Sequence, residues 1–191
     1  MARLILWNLV TLEGYFDGPK GWDLDWHNLV WGEELEELSL TQLRSAGMLL
    51  FGRVTYEGMA RYWTTAEGEG DVAQLMNTIP KLVFSTTLAG AEWNNTRLVK
   101  SDAAREVATL KAQAGKDMFL FGSAILASSL MVGGLIDEYR LCLVPVVLGG
   151  GRPLFKPGVG LPPLRLLESR SLKSGGVILR YEHAGGGMGG A

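Results

Sequence analysis

The 191-residue chain contains few of the residues that build covalent or metal-bound sites. It has one cysteine, Cys142, which excludes a disulfide within the chain. With two histidines, His27 and His183, it cannot supply a Cys/His zinc site, and no metal is expected. No run of about 18 apolar residues is present, which argues against a transmembrane helix. The N-terminal residues also lack the pattern of a secretion signal, so we expect a cytoplasmic protein with no membrane partner.

The sequence also lacks an excess of charge of one sign. Lys and Arg total 18, Asp and Glu total 20, and the net charge is −2. This balance gives no bulk electrostatic attraction for nucleic acid or for an acidic membrane. Hydrophobic residues make up 47% of the chain and charged residues 20%, as in globular proteins. The length predicts a single domain at residues 1–184 and a flexible Gly-rich tail at 185–191.

Several catalytic motifs are absent from the sequence. There is no G-x-S-x-G nucleophile elbow, no H-E-x-x-H zinc motif and no phosphate-binding P-loop. The segment 185–190 fits G-x-G-x-x-G, but no helix-forming segment follows it, so it does not predict a dinucleotide site. Cys142 lies in an apolar strand-like segment and is expected to be a buried, inert thiol.

Apolar segments typical of buried strands alternate with amphipathic segments typical of helices. The predicted strands occupy residues 3–10, 48–51, 81–84, 98–99, 118–121 and 139–148. The predicted helices occupy residues 33–46, a segment beginning near 54, and residues 101–114 and 124–131. Gly47 is expected to end the first of these helices, and Ser101 is expected to cap the third. Segments 164–172 and 177–183 predict a hairpin, so we expect an α/β fold with three αβα layers, a mostly parallel mixed sheet and an antiparallel C-terminal hairpin.

The loop predicted at residues 11–26 is rich in aromatic residues. Tyr15, Phe16, Trp22 and Trp26 lie close together in it. Such side chains either pin a loop to the core or line the site of a flat ligand. Both interpretations remain open at this point.

Three segments place small or polar residues directly after a predicted strand, where α/β sheets bind ligands. They lie in the segments 52–57, 84–87 and 121–126. Arg53 is suited to a bidentate phosphate contact, and the following helix N-termini offer free N–H groups. Alone, the first segment also fits a solvent-exposed arginine with a helix cap, the second an ordinary polar turn, and the third tight packing of a strand against a helix. Together they predict a dinucleotide with an extra phosphate, which favours NADPH over NADH.

Seven segments, taken in order and spacing, carry a more specific pattern. They are TLEGY at 11–15, DLDW at 23–26, FGRVTYE at 51–57, VFSTTL at 83–88, LVKS at 98–101, FGSA at 121–124 and PVVLGGGRPLF at 145–155. This pattern resembles the dihydrofolate reductase-like superfamily, most closely the branch related to the reductase domain of bacterial riboflavin biosynthesis. The resemblance covers about residues 3–183.

The resemblance implies an NADPH-dependent reductase similar to 5-amino-6-(5-phosphoribosylamino)uracil reductase. Such an enzyme transfers a hydride to a small heterocyclic or ribosylaminopyrimidine-type substrate. By position, the implied cofactor contacts are Gly14, Tyr15, Gly52, Arg53, Thr55, Ser85, Thr86, Lys100, Gly122, Ser123 and Ala124. The expected substrate contacts are Asn8, Trp26 and Tyr56.

Acidic residues of the first loop are the candidates for a catalytic proton donor. Asp25 and Glu13 are assigned to this role, with Asp23 as a neighbour, because partial burial against Trp22 or Trp26 would raise a carboxyl pKa. True dihydrofolate reductases carry an acidic residue on the first helix, and Asp23 or Asp25 falls near that place.

Two other functions remain open: dihydrofolate reductase activity, and a non-catalytic nucleotide-binding homodimer. A homodimer is expected, because the long apolar segment 139–148 favours edge pairing. The alternative is a monomer in which the closing hairpin at 164–183 covers that edge internally. The branch that the chain resembles is also commonly dimeric.

Overall fold

A central sheet with helices on both faces forms the protein, as described by a computed structural model for residues 1–66, 70–113 and 115–184. The strands are β1 (Leu4–Val10), β2 (Tyr15–Asp17), β3 (Ala46–Gly52), β4 (Lys81–Phe84), β5 (Thr96–Val99), β6 (Asp117–Phe121), β7 (Glu138–Leu143), β8 (Arg152–Pro153), β9 (Leu164–Ser171) and β10 (Val177–His183). The helices are α1 (Glu33–Ser45), α2 (Arg53–Trp63), α3 (Gly70–Thr78), α4 (Ala103–Ala112) and α5 (Ala124–Val132), with a 3₁₀ helix at Asp25–Leu29.

In the described residues the main sheet has the strand order β5-β4-β3-β6-β1-β7-β10-β9. The strands from β5 to β7 pair in parallel, and β10 pairs antiparallel with both β7 and β9. A separate small ribbon joins β2 to β8. The predicted mixed sheet with an antiparallel C-terminal hairpin is therefore confirmed.

Alternation along β1 divides the core into two halves, because successive side chains point to opposite faces of a sheet. Ile5 packs in the half that includes residues of α1, α2 and α3. Leu6 packs in the half that includes residues of α4 and α5. Since both faces are covered, the parallel strands are mostly apolar, which is why they were recognisable in the sequence. The three-layer αβα prediction is confirmed.

Several local predictions are wrong. Asp102, not Ser101, caps α4, because its Oδ1 accepts the N–H groups of Ala104 and Arg105. Gly47 does not end α1, since β3 begins directly at Ala46. The predicted strand 139–148 is shorter, and β7 ends at Leu143. It is also not an edge strand, because β10 of the closing hairpin pairs with it, so it does not support the predicted homodimer.

Some elements were not predicted, and some predictions fall outside the described residues. The loop at 11–26 contains β2 and the start of the 3₁₀ helix, and α3 was not predicted. The proposed tail at 185–191 and the predicted helix end at residue 114 lie outside the described residues.

A buried carboxylate on β7 joins the residue before β1 to β10. Glu138 is fully buried on β7 and accepts hydrogen bonds from Arg3, Arg140 and Arg180. Burial disfavours the charged carboxylate, but the hydrogen bonds and charges of Arg140 and Arg180 outweigh it and lower its pKa to about 2. The same arginine, Arg140, reaches α1 through a hydrogen bond to Gln42.

Candidate functional site

A large cavity lies at the carboxyl ends of β3, β4, β5 and β6, where a parallel sheet is expected to bind ligands. Its volume is about 1020 Å³. Gly52, Phe84, Val99 and Phe121, the last residues of these strands, line it. The three segments predicted from the sequence therefore converge on one cavity.

Hydrogen bonds fix the turns that follow β3 and β6 against each other. The Gly52 N–H donates to Ser123 Oγ at 2.8 Å, and the Ser123 N–H donates to Thr55 Oγ1 at 3.0 Å. The Gly122 N–H donates to Asn8 Oδ1 on β1 at 2.8 Å. These bonds hold the ends of three adjacent strands in one rigid arrangement.

Gly122 and Ser123 both adopt left-handed backbone conformations, with φ of +52° and +60°. A Cβ added at Gly122 would lie 2.9 Å from Thr55 Oγ1. The glycine is therefore required by the backbone and by the approach of Thr55, not only by a ligand.

The turns after β3 and β6 place the N-termini of α2 and α5 at the cavity. No side chain caps either helix, in contrast to α4. The first-turn N–H groups of a helix have no intrahelical acceptor, and the helix dipole favours a negative charge there. Because Arg53 and Ala124 begin these helices and line the cavity, the two N-termini form a site suited to phosphate.

Arg53 lines the cavity next to α2, but its guanidinium is already paired. Its Nη1 lies 3.1 Å from a carboxylate oxygen of Glu57, one helical turn away, and its side chain is 46% exposed. Ser85 and Thr86 line the same region. Ser85 Oγ accepts the Leu88 N–H at 3.0 Å, which keeps this turn compact.

The cavity continues toward α1, where aromatic side chains dominate its wall. The aromatic lining residues are Trp7, Phe16, Trp22, Trp31, Tyr62, Trp63, Phe84 and Phe121. Trp22 lies against Gly58 of α2, where a Cβ would approach its ring to 2.2 Å. Trp26, by contrast, is buried in the core and donates its indole N–H to the Asp23 carbonyl. Of the aromatic loop residues, Trp26 thus packs in the core, whereas Phe16 and Trp22 line the cavity.

Acidic and imidazole groups lie at the loop side of the cavity. Asp17, which the sequence analysis did not single out, is buried there and lies 3.3 Å from the Arg152 guanidinium. The sequence could not indicate Asp17, because Arg152 is distant in sequence and comes close to it only when β2 pairs with β8. Burial lowers the pKa of His27 to about 4, against the opposing charge of Asp17. Among the described residues, the buried His27 Nε2 has no hydrogen-bond partner.

The two carboxylates assigned from the sequence occupy different places. Asp25 lines the cavity but is exposed, so the expected partial burial against Trp22 or Trp26 is wrong. Glu13 does not line it in the described structure, and its carboxylate accepts the N–H groups of Leu148 and Gly149 at 2.7 and 3.0 Å. Glu13 therefore fixes the loop after β7.

Asn8 carries a hydrogen-bond donor that is left unused. Its Oδ1 must face the Gly122 N–H, so its Nδ2 is the end that remains. Within residues 1–66, 70–113 and 115–184, this buried Nδ2 has no partner. Asn8 lines the cavity, and an unpaired buried amide is costly unless a ligand binds it.

The structure brings most of the predicted cofactor residues together. Those that line the cavity are Gly52, Arg53, Thr55, Ser85, Thr86, Gly122, Ser123 and Ala124. In the described part of the chain, the predicted residues outside its lining are Glu13, Gly14, Tyr15, Trp26, Tyr56 and Lys100. Tyr56 is buried, and its hydroxyl accepts the Trp93 N–H at 2.9 Å, so it supports the core behind α2.

A second depression, of about 530 Å³, lies at the opposite end of the sheet around Lys81. Burial lowers the pKa of Lys81 to about 8. Its ammonium donates to the carbonyls of Ile79 and Asn94 and lies 4.5 Å from the centre of the Trp93 ring. These contacts join the segments before β4 and β5, so we interpret this lysine as structural.

Neither membrane nor metal features mark the described residues. No helix among them has the length and apolar character needed to cross a bilayer. Within the same residues, no group of three or more His, Cys, Asp or Glu side chains is arranged to hold a metal ion.

Comparisons with known proteins find similar sequences and similar folds. The protein YyaP of Bacillus subtilis (strain 168) is 32% identical over 187 residues, which cover 96% of each chain. A solved structure from Shewanella sp. PV-4, named for riboflavin biosynthesis, is 23% identical, with a TM-score of 0.75 over 95% of this chain and 98% of that one. Dihydrofolate reductase from Enterococcus faecalis, complexed with NADP(H), is 12% identical, with a TM-score of 0.62 over 95% and 96% of the two chains.

The family comparison covers almost the whole of the described fold. The sequence profile of the RibD C-terminal domain matches residues 2–178, from β1 into β10. The resemblance found in the sequence is thereby confirmed, and the reductase-like character of that family applies to this chain. The protein belongs to the RibD C-terminal domain family.

Proposed function

We propose that the protein is an NADPH-dependent reductase that transfers a hydride to a small heterocyclic or ribosylaminopyrimidine-type substrate. One observation carries the proposal: two helix N-termini without side-chain caps meet at the cavity, beside the buried Asn8 Nδ2, which has no partner among the described residues. The N–H groups suit a pyrophosphate, and the amide suits a carbonyl oxygen such as that of a nicotinamide carboxamide.

The residues of this chain fit the proposed dinucleotide chemically. The first turns of α2 and α5 would bind the pyrophosphate from opposite faces of the sheet. Arg53, with Ser85 and Thr86, would bind a 2′-phosphate, which NADH lacks. Gly14, Tyr15 and Lys100 remain predicted contacts from outside the cavity lining.

The protein supplies orientation and electrostatics to such a reaction. When bound, the reduced dinucleotide provides a hydride from C4 of its nicotinamide. The aromatic wall would orient a flat substrate and exclude water from it. Asp25 lines the cavity and is the proposed source of a proton, whereas the carboxylate of Asp17 is paired with Arg152.

The test changes the charge at the N-terminus of α5. Ile125 lines the cavity and is 76% exposed, and Val132 at the other end of the same helix is also 76% exposed. Ile125→Asp places a carboxylate beside the proposed pyrophosphate, and at about 6 Å such repulsion weakens NADPH binding roughly tenfold. An acidic residue at a helix N-terminus also favours folding, so the loss would not reflect unfolding.

Val132→Asp is the matched control and should bind NADPH as the wild type does. Binding is measured by calorimetry and by the shift in melting temperature that NADPH produces. Equal affinity in Ile125→Asp and the wild type, or no NADPH binding by the wild type, would contradict the proposal. Oxidation of NADPH is then assayed with dihydrofolate, the ribosylaminopyrimidine and simple carbonyl compounds, and no turnover with any of them would support a non-catalytic binding protein.

A further inference from the structure

Helix α1 contributes no charge to the cavity wall. Its lining residues are Ser39, Gln42 and Leu43, which lie on one face because they are three and four residues apart. The acidic residues at 33–37 do not line the cavity in the described structure. Among its described residues, the first helix thus presents an amide and no carboxylate to the cavity.

Gln42 is held in one orientation. It is 4% exposed, and its Oε1 accepts a hydrogen bond from Arg140 Nη1 at 3.1 Å. A guanidinium can only donate, so turning the amide around would place two donors against each other. The Nε2 group is therefore the end of the amide that is left for a ligand, and no described residue bonds to it.

The arginine that fixes this amide is itself immobile. Arg140 also donates to Glu138, which is fully buried and is bonded by Arg3 and Arg180 as well. Through this chain of contacts, the sheet sets the direction of the Gln42 N–H groups. A preorganised donor of this kind discriminates between ligands that do and do not offer an acceptor.

The surroundings of Gln42 disfavour a charged ring. Met59, Trp63, Val72 and Met76 of α2 and α3 line the same cavity. The charged residues that line the cavity lie outside α1: they are Asp17, Asp25, Arg53, Arg152 and Lys156. Arg53 and Arg152 are paired with the carboxylates of Glu57 and Asp17.

We propose that Gln42 determines substrate specificity by donating a hydrogen bond to a carbonyl oxygen of a flat, uncharged, conjugated substrate. This inference rests on the proposed reductase function and specifies the class of hydride acceptor. Hydride addition to a conjugated carbonyl leaves a negative charge on its oxygen, which then takes a proton from Asp25 or solvent. The dihydronicotinamide is oxidised in the same step, and Gln42 keeps its own protons while its N–H stabilises the charged oxygen.

The test compares two small probes with opposite hydrogen-bonding character. Menadione is flat and uncharged and offers only carbonyl acceptors, whereas protonated 2,4-diaminopyrimidine is cationic and offers donors. Quenching of tryptophan fluorescence reports binding, because Trp22, Trp31 and Trp63 line the cavity. The wild type should bind menadione more tightly than the diaminopyrimidine.

Two variants of Gln42 separate specificity from folding. Gln42→Leu removes the donor and should weaken menadione binding about tenfold. Gln42→Glu still pairs with Arg140 but presents an acceptor to the ligand, so its affinity for menadione should fall. It should bind 2,4-diaminopyrimidine about tenfold more tightly than the wild type. Gln74→Leu, on an exposed position of α3, is the matched control and should change neither affinity.

Three outcomes overturn the inference: no menadione binding by the wild type, unchanged menadione affinity in Gln42→Leu, or no change of preference in Gln42→Glu. The NADPH-induced shift in melting temperature is measured on the same samples. If the shift persists while the probe affinities do not change, only the role of Gln42 is refuted. If the wild type shows no shift, the proposed function itself fails.

Discussion

Replacing Arg53 with alanine should reduce the affinity for NADPH and leave that for NADH almost unchanged. A hydrogen bond to a charged partner contributes roughly 1.5–3 kcal/mol. The Arg53 side chain is 46% exposed, and solvent weakens such a contact, so the lower end of this range applies. We expect a loss of about 1.5 kcal/mol, which corresponds to roughly a tenfold increase in Kd.

Glu57 modifies this estimate because its carboxylate lies 3.1 Å from the guanidinium. It competes with a bound phosphate for Arg53, and it repels that phosphate when Arg53 is absent. Glu57→Gln alone should therefore tighten NADPH binding about threefold. In the double variant, Glu57→Gln should recover part of the affinity that Arg53→Ala loses.

Calorimetric titration with both cofactors, at two salt concentrations, measures these effects. Arg61→Ala changes an exposed arginine of the same helix that does not line the cavity in the described structure, and it serves as the matched control. Equal weakening of NADPH and NADH by Arg53→Ala would refute the assignment of Arg53 to the 2′-phosphate. A loss of the same size in Arg61→Ala would instead show a general charge effect.

Four further predictions concern other parts of the molecule. Asn8→Leu leaves the Gly122 N–H unpaired, so it should lower the free energy of unfolding by about 1–3 kcal/mol and weaken NADPH binding. Unchanged melting and titration curves would contradict this prediction. Glu138→Gln should lower the free energy of unfolding, measured with denaturant, by about 3 kcal/mol. In the wild type, the stabilisation by this carboxylate is complete above pH 4.5 and is lost as the pH falls toward 2. The free energy of unfolding should also fall between pH 6.5 and about 4, because unfolded His27 binds a proton that the folded protein excludes, and His27→Phe should remove that slope. Light scattering should give twice the chain mass of 20.7 kDa, and a value of 20.7 kDa at all concentrations would exclude the homodimer.

The sequence was sufficient for the fold and for the position of the cavity because both depend on local patterns. Buried parallel strands are mostly apolar, and helices that follow them begin with recognisable turns. Gly52 and Gly122 therefore marked the two strand ends correctly without any knowledge of contacts. Helix α3 was missed, since it has only nine residues and its core contacts, from Val72, Leu75 and Met76, form too short a pattern to indicate a helix.

Capping and side-chain pairing depended on atoms that the sequence does not place. Ser101 and Asp102 are both good caps by type, and only the backbone path shows that Asp102 reaches the first N–H groups. Glu13 has the right chemistry for a proton donor, but its carboxylate is bonded to the backbone of the loop after β7.

The tertiary structure alone decided which polar groups remain free for a ligand. Asn8 and Gln42 are ordinary amides in the sequence, each within an apolar or amphipathic segment. Each becomes a directed donor because a fixed N–H group or guanidinium from a distant strand occupies its oxygen. Such pairings join residues 98 and 114 positions apart. Local propensity and periodicity, which determined the fold class, carry no information at that separation.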